Sequence, residues 1–127
     1  MLLQGKRGMP MIGVKDLKQA KRFYDQLGLQ RHRTEEPGML EYDDSAGLTI
    51  TVYETQFGGT NKATAITWAV GDDFDEIVNS LKAKGISFEH YTDLPDTRVE
   101  GDVHVSGERR VAWFKDPDGN ILSIINE

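Results

Sequence analysis

Cysteine is absent from this chain. That rules out a disulfide, a thiol nucleophile and a thiolate metal site. Long apolar runs are absent as well, so nothing matches the roughly twenty apolar residues of a membrane-spanning helix. There is no excess of basic residues: 15 Lys and Arg face 21 Asp and Glu, for a net charge of −6. Nucleic acid and anionic membrane surfaces need a basic face and are therefore not expected partners. The acidic balance is mildly compatible with a cationic ligand. The opening MLLQGKRGMP has only a short apolar stretch before Lys6 and Arg7. It lacks the apolar core of a secretion signal, and a cytoplasmic location is expected.

What is present is an ordinary globular composition and a repeat. The 127 residues suffice for one domain with a sizeable core. Asp16 is placed to cap a helix, with Gln19 three residues on as a capping box. Leu17, Ala20, Phe23, Tyr24 and Leu27 follow on one helical face, and Gly28 ends the run. Asp73, Glu76, the stripe Phe74, Ile77, Val78 and Leu81, and Gly85 repeat the arrangement. A cap of this kind contributes about 1 kcal/mol. Strand-like MPMIGV and AITWAV precede the two helices. Short strand-like runs follow the glycines, Leu29 to Arg33 and Ile86 to Tyr91, and each half closes on further strands, AGLTITVYE and DGNILSIIN.

The sequence therefore predicts strand, helix and three strands, twice over. The first module covers about residues 1–57, a linker about 58–62 within TQFGGTNK, and the second module about 63–127 of a single domain. This gives eight main strands and two principal helices. The second half is longer by about fifteen residues. The excess falls in TDLPDTRVEGDVHVSGE, residues 92–108, expected as a longer loop or extended hairpin and a candidate lid.

VKDLKQAKRFYDQLGL and FKDPDGNILSI resemble signatures of the vicinal oxygen chelate superfamily, which holds glyoxalases, extradiol dioxygenases and bleomycin resistance proteins. The resemblance covers nearly the whole chain. It implies an α+β fold of two tandem βαβββ modules whose curved mixed sheets form a cup with the helices outside. It is specific for fold and weak for function, because the family hosts many chemistries. It also implies four metal-ligand positions, one on the first and one on the last strand of each module, filled in the metal enzymes by His or Gln and by Glu. Counted from Val14, Gly47, Val70 and Gly119, those positions here are Met9, Thr51, Ala65 and Ser123. None offers a carboxylate or imidazole, which a divalent cation would need. No cofactor is expected.

Strand alternation extends the inward set to Met9, Met11, Thr49, Thr51, Tyr53, Ala65, Thr67, Ile121, Ser123 and Ile125. The opposite set is purely apolar, as a surface beneath helices should be. The mixed inward set suits a small, partly apolar organic molecule. Trp113 and Phe114 point to opposite faces of one strand, and the sequence does not say which faces the cup. His32 sits in the charged stretch RHRTEE, while His90 and His104 flank the excursion and could meet across a hairpin with Glu89 or Asp102. The DPDGN turn is read as structural, with Asp116 bonding the backbone.

Three readings follow. The favoured one is metal-independent binding, possibly sequestration, of a small molecule, as the resemblance to the bleomycin resistance branch implies, by a homodimer without catalytic residues. A second is a glyoxalase-like or dioxygenase-like metal enzyme, which the four mapped positions disfavour. A third is a structural or regulatory dimer with a vestigial cup.

Overall fold

The computed structural model describes residues 2–34 and 37–127; Glu35 and Glu36 of the charged stretch lie outside them. Strand β1 (Met11–Val14) leads into helix α1 (Leu17–Asp25), followed by β2 (Gln30–His32), β3 (Met39–Asp43) and β4 (Thr49–Glu54). The second module runs β5 (Thr64–Ala69), a 3₁₀ turn (Gly71–Asp73), α2 (Phe74–Ala83), β6 (Phe88–Glu89), β7 (Arg98–Glu100), β8 (Val103–Ser106), β9 (Arg109–Lys115) and β10 (Ile121–Ile125).

The first sheet has the order β1-β4-β3-β2, with β1 parallel to β4 and the other pairs antiparallel. The second repeats that scheme: β5 lies parallel to β10, β10 antiparallel to β9, and β9 antiparallel to β6. The described residues hold ten strands rather than eight because the excursion is itself a hairpin. Residues 98–115 form a meander in which β7 pairs with β8 and β8 with β9. The two sheets, of four and six strands, do not close on one another within the chain.

The helix ends follow the sequence unequally. Asp16 caps α1, its carboxylate accepting from the backbone N–H of Lys18 and Gln19 at 3.0 and 3.1 Å. Asp73 makes no side-chain cap bond. It ends the 3₁₀ turn, which begins at Gly71, at the N-cap position of α2. Among the described residues, no helix is long and apolar enough to cross a membrane.

Even-numbered strand residues, joined in β8, where the parity reverses, by Val103 and Val105, and the apolar helix stripes build one core across both modules, from Ile12, Val14, Tyr42 and Val52 to Phe114, Leu122 and Ile124. The modules meet through this helix-bearing side. The ring of Phe23 lies 6.3 Å from that of Phe114. The Tyr24 hydroxyl donates to Asp116 at 2.8 Å, and Asn120 donates to the Gly13 carbonyl at 2.7 Å. The connection between modules is pinned as well. A Cβ on Gly58 would lie 2.6 Å from the Val14 backbone, and one on Gly59, whose φ is +75°, would overlap the Asp118 carbonyl. The glycines of TQFGGTNK thus let the link pass between the end of β1 and the DPDGN turn.

Candidate functional site

With the core on the even-numbered faces, the odd-numbered faces hold the candidate ligand residues. On the first sheet, register sets Met11 beside Thr51, Thr51 beside Glu41, and Glu41 beside His32. Thr49 stands next to Asp43, and Tyr53 between Gly13 and Met39. His32 Nε2 lies 3.3 Å from the Asp43 carboxylate. This face is polar, with apolar matter supplied by methionine and one tyrosine.

On the second sheet the matching row is Thr67, Ser123, Trp113 and Glu89. Ser123 is 1% exposed, and its hydroxyl lies 2.7 Å from that of Thr67. The pair satisfies a polar group that a buried strand would otherwise leave without a partner. The next row is Ala69, Ile125, Val111 and His104. Trp113 donates from its indole to Thr64 at 3.1 Å, while Phe114 is buried in the core. Trp113 is thus on the odd-numbered face. That follows from its pairing with Ser123, a long-range fact with no local signal.

The residues singled out by alternation fall into two groups. Met11, Thr49, Thr51 and Tyr53 share the first face, and Ala65, Thr67, Ile121, Ser123 and Ile125 belong to the second. Met9 precedes β1 and is 46% exposed; Met11 is 50% exposed. Thr51 and Ser123 pair with Met11 and Thr67, so Met9 and Ala65 lie one alternation nearer the strand starts. The register shifts between Ile121 and Leu122, where Ala65 is left without a partner. Because both sheets turn their even faces into one core, a single chain does not bring the two groups together.

Residues that sequence reasoning did not place in the site now join it. His104, 2% exposed, lies on the second face in edge contact with Trp113 at 4.7 Å between ring centres; Tyr91 touches both rings. The Tyr91 backbone N–H donates to His104 Nε2 at 2.8 Å. Burial, with a smaller contribution from the charge of His90 and against the pull of the Val111 backbone, holds the His104 pKa below its ordinary value. His90 does not meet His104 across the hairpin. Its Nε2 lies 2.8 Å from Asp102, which Lys82 also approaches at 2.8 Å. The hydrogen bonds from Lys82 and His90 keep the Asp102 pKa below the usual carboxylate value.

Leu94, Pro95 and Thr97 roof the end of the second face and enclose, with residues of β8 and β9, a cavity of about 290 Å³. A larger cavity of about 470 Å³ lies at the other side of the sheet, between Leu27, Leu48, Trp68, Ile77 and Leu81. It belongs to the seam between modules.

The family fold implies a metal in its enzyme members. The donor set here does not fit one: a thioether, two hydroxyls and a methyl occupy the four mapped positions, and the Ser123 hydroxyl is already engaged by Thr67. Among the described residues, no three His, Asp or Glu side chains gather as a metal site. What the odd faces can do is hold a molecule by apolar contact and orient it with hydroxyl and ring donors.

Paired βαβββ modules with a mixed polar face opposite the helices define a glyoxalase-like protein. The chain belongs to the Glyoxalase/Bleomycin resistance protein/Dioxygenase superfamily, whose family model matches residues 7–124. Among solved structures it is similar to the antibiotic-binding protein TnmS3 from Streptomyces sp. CB03234, at 18% identity and a TM-score of 0.68, covering 98% of this chain and 97% of that one. The fosfomycin resistance protein FosX from Listeria monocytogenes gives 20% identity and a TM-score of 0.68, covering 99% and 93%. A glyoxalase/bleomycin resistance protein/dioxygenase from Alicyclobacillus acidocaldarius gives 22% and 0.68, covering 98% and 93%. At these identities the likeness is one of fold. No curated protein matches the sequence.

Proposed function

We propose that this protein binds a small, partly apolar organic molecule on its odd-numbered faces without a metal, in the manner of an antibiotic-binding or sequestering protein. One observation carries the reading. Where metal enzymes of the family place an acid, Ser123 is buried and closed onto Thr67, so the second face offers a shaped, weakly polar wall. Similarity to an antibiotic-binding protein and to a resistance protein supports the same direction.

The reading includes a homodimer. The outer edges of β1 and β5 pair with no strand among the described residues, and they border exposed Met11, Ala65 and Thr67. Apposing the first face of one copy to the second face of another would cover these edges and complete a two-walled cup.

The test is a thermal-shift screen of hydrophobic and cationic drugs against wild type, Ala65→Phe and Ser123→Leu. A ligand stabilises the folded state with the logarithm of its excess over the dissociation constant. A hit in wild type that both filled variants lose supports the cup. Equal shifts in all three place the ligand elsewhere and refute the reading. Elemental analysis of tag-free protein checks metal independence: one equivalent of zinc, nickel, iron or manganese, lost on mutating Thr51 or Ser123, would overturn it. Light scattering at micromolar concentration checks the dimer.

A further inference from the structure

The roofed cavity at the end of the second face has a character of its own. Its wall includes Trp113, His104, Ser106 and Arg109, with Pro95 and Thr97 above them. Register puts them on one face: Ser106 pairs with Arg109 and His104 with Val111, so the even-numbered β8 residues share the face of Arg109 and Trp113. The feature lies on the hairpin that only the second module possesses.

Its polar groups are donors. Because the Tyr91 N–H donates to Nε2 of His104, that nitrogen is the unprotonated one, and the proton of the neutral ring sits on Nδ1. Nδ1 is buried and makes no well-formed hydrogen bond; the Val111 backbone is the acceptor it approaches. A buried donor met only in poor geometry is unfavourable, so a better-placed acceptor supplied by a ligand is favoured there. Arg109 makes no ion pair among the described residues, whereas Arg98 and Arg110 on the same hairpin are paired with Glu100 and Asp75. No carboxylate lines the cavity; Asp93 and Asp96 of the roof lie outside its wall. A chain of net charge −6 thus presents a pocket whose one charged wall residue is a cation. The Trp113 ring, half-buried, adds a flat apolar surface.

We propose that this cavity is an anion-selective subsite for a planar aromatic acid of one or two rings. The ring would lie against Trp113, and the carboxylate or adjacent oxygen would accept from Arg109 and His104 Nδ1. A volume of about 290 Å³ is at the lower end for a small-molecule site, which sets the size limit. The inference rests on the reading of the odd-numbered faces as a binding surface. It adds a charge preference opposite to the one the net charge favours.

The test is isothermal titration of the purified full chain with 1-hydroxy-2-naphthoate and with its neutral amide. Three variants are compared with wild type: Arg109→Met, His104→Gln and Ser123→Leu. Arg109 is exposed, so Arg109→Met keeps the test valid if the buried His104 variant fails to fold. Wild type should bind the carboxylate about tenfold or more tightly than the amide, the usual advantage of a charge-assisted hydrogen bond. Arg109→Met should erase that difference, with carboxylate affinity falling to the level of the amide. If both compounds bind wild type and Arg109→Met equally, and Ser123→Leu abolishes both, the cup stands and the anion subsite is refuted. If neither compound binds wild type at millimolar concentration, the subsite is refuted as well, whatever the drug screen returns.

Discussion

The turn before β10 and the turn before β4 begin with similar chemistry and end in different structures. In the second module, Asp116 accepts from the backbone N–H of Asp118 and Asn120 at 3.0 and 2.9 Å, as an aspartate does in a tight turn. It also accepts from the Tyr24 hydroxyl and the Asn120 amide, both at 2.8 Å, while Lys15 donates its backbone N–H to Asp118. In the first module, Asp44 accepts from the N–H groups of Ala46 and Leu48 within its own turn. Leu81 of α2, which stands where Tyr24 stands in α1, brings no hydroxyl. Asp44, Ala46, Leu48 and Leu81 line the 470 Å³ cavity instead. A repeat of local sequence therefore does not impose a repeat of packing. One module seam is locked by a buried polar network and the other is left open.

The largest expected effect breaks the lock. Asp116→Ala would leave the Tyr24 hydroxyl, the Asn120 amide and two backbone donors short of an acceptor. We expect a loss of about 3 to 5 kcal/mol in urea unfolding. Asp44→Ala, in the other turn, should cost about 1 kcal/mol. Equal losses at the two positions would abolish the asymmetry. Tyr24→Phe isolates one bond of the network, to a charged acceptor, and should cost about 2 kcal/mol.

A gentler variant sharpens the same contrast by adding the missing partner. Leu81→Tyr points a hydroxyl toward Asp44 across the open seam and fills part of it. A gain of about 1 kcal/mol is expected. A loss of about 2 kcal/mol, the usual result of overpacking, would mean that the space is closed in solution.

The smallest effect concerns the hairpin that one module has and the other lacks. His104 is held neutral, with its folded pKa below the ordinary 6.5. Between the lowered value and 6.5, the unfolded chain binds more protons than the folded one, so stability rises with pH across that window. As pH falls through it, the contribution of His104 is lost. Stability curves from pH 7 to pH 5 should slope downward toward acid in wild type and less so in His104→Gln. Parallel curves would show that His104 takes up its proton in place, against the tautomer assigned from the Tyr91 contact.

Much of the fold was legible because its signals are local. The 3.6-residue stripe from Leu17 to Leu27, the Asp16 cap and the glycines that close each helix depend on neighbours a few residues away. The doubled order of strand and helix follows from the same kind of pattern. Alternation also separated the apolar even faces from the mixed odd faces, since a strand turns its side chains over at every residue. The second cap position fell at Asp73 as expected, but Asp73 ends a 3₁₀ turn there and makes no side-chain cap bond. For the extra residues 92–108 the sequence left a longer loop and an extended hairpin open, and the structure shows the hairpin, β7 paired with β8.

What the tertiary structure alone decided was which distant residues meet. Trp113 reached the candidate ligand face because it pairs with Ser123, and His104 because it pairs with Val111. Tyr24 found Asp116 across 92 positions of chain. The sequence by itself determined both helices, the eight strands of the repeat, the two faces of each sheet and the absence of metal-ligating residues at the four family positions. Register, the direction in which each sheet turns its helix-bearing face, and the tautomer of His104 are set by long-range contacts. Periodicity carries no information about those contacts, because any pairing that buries the same apolar face satisfies it equally well.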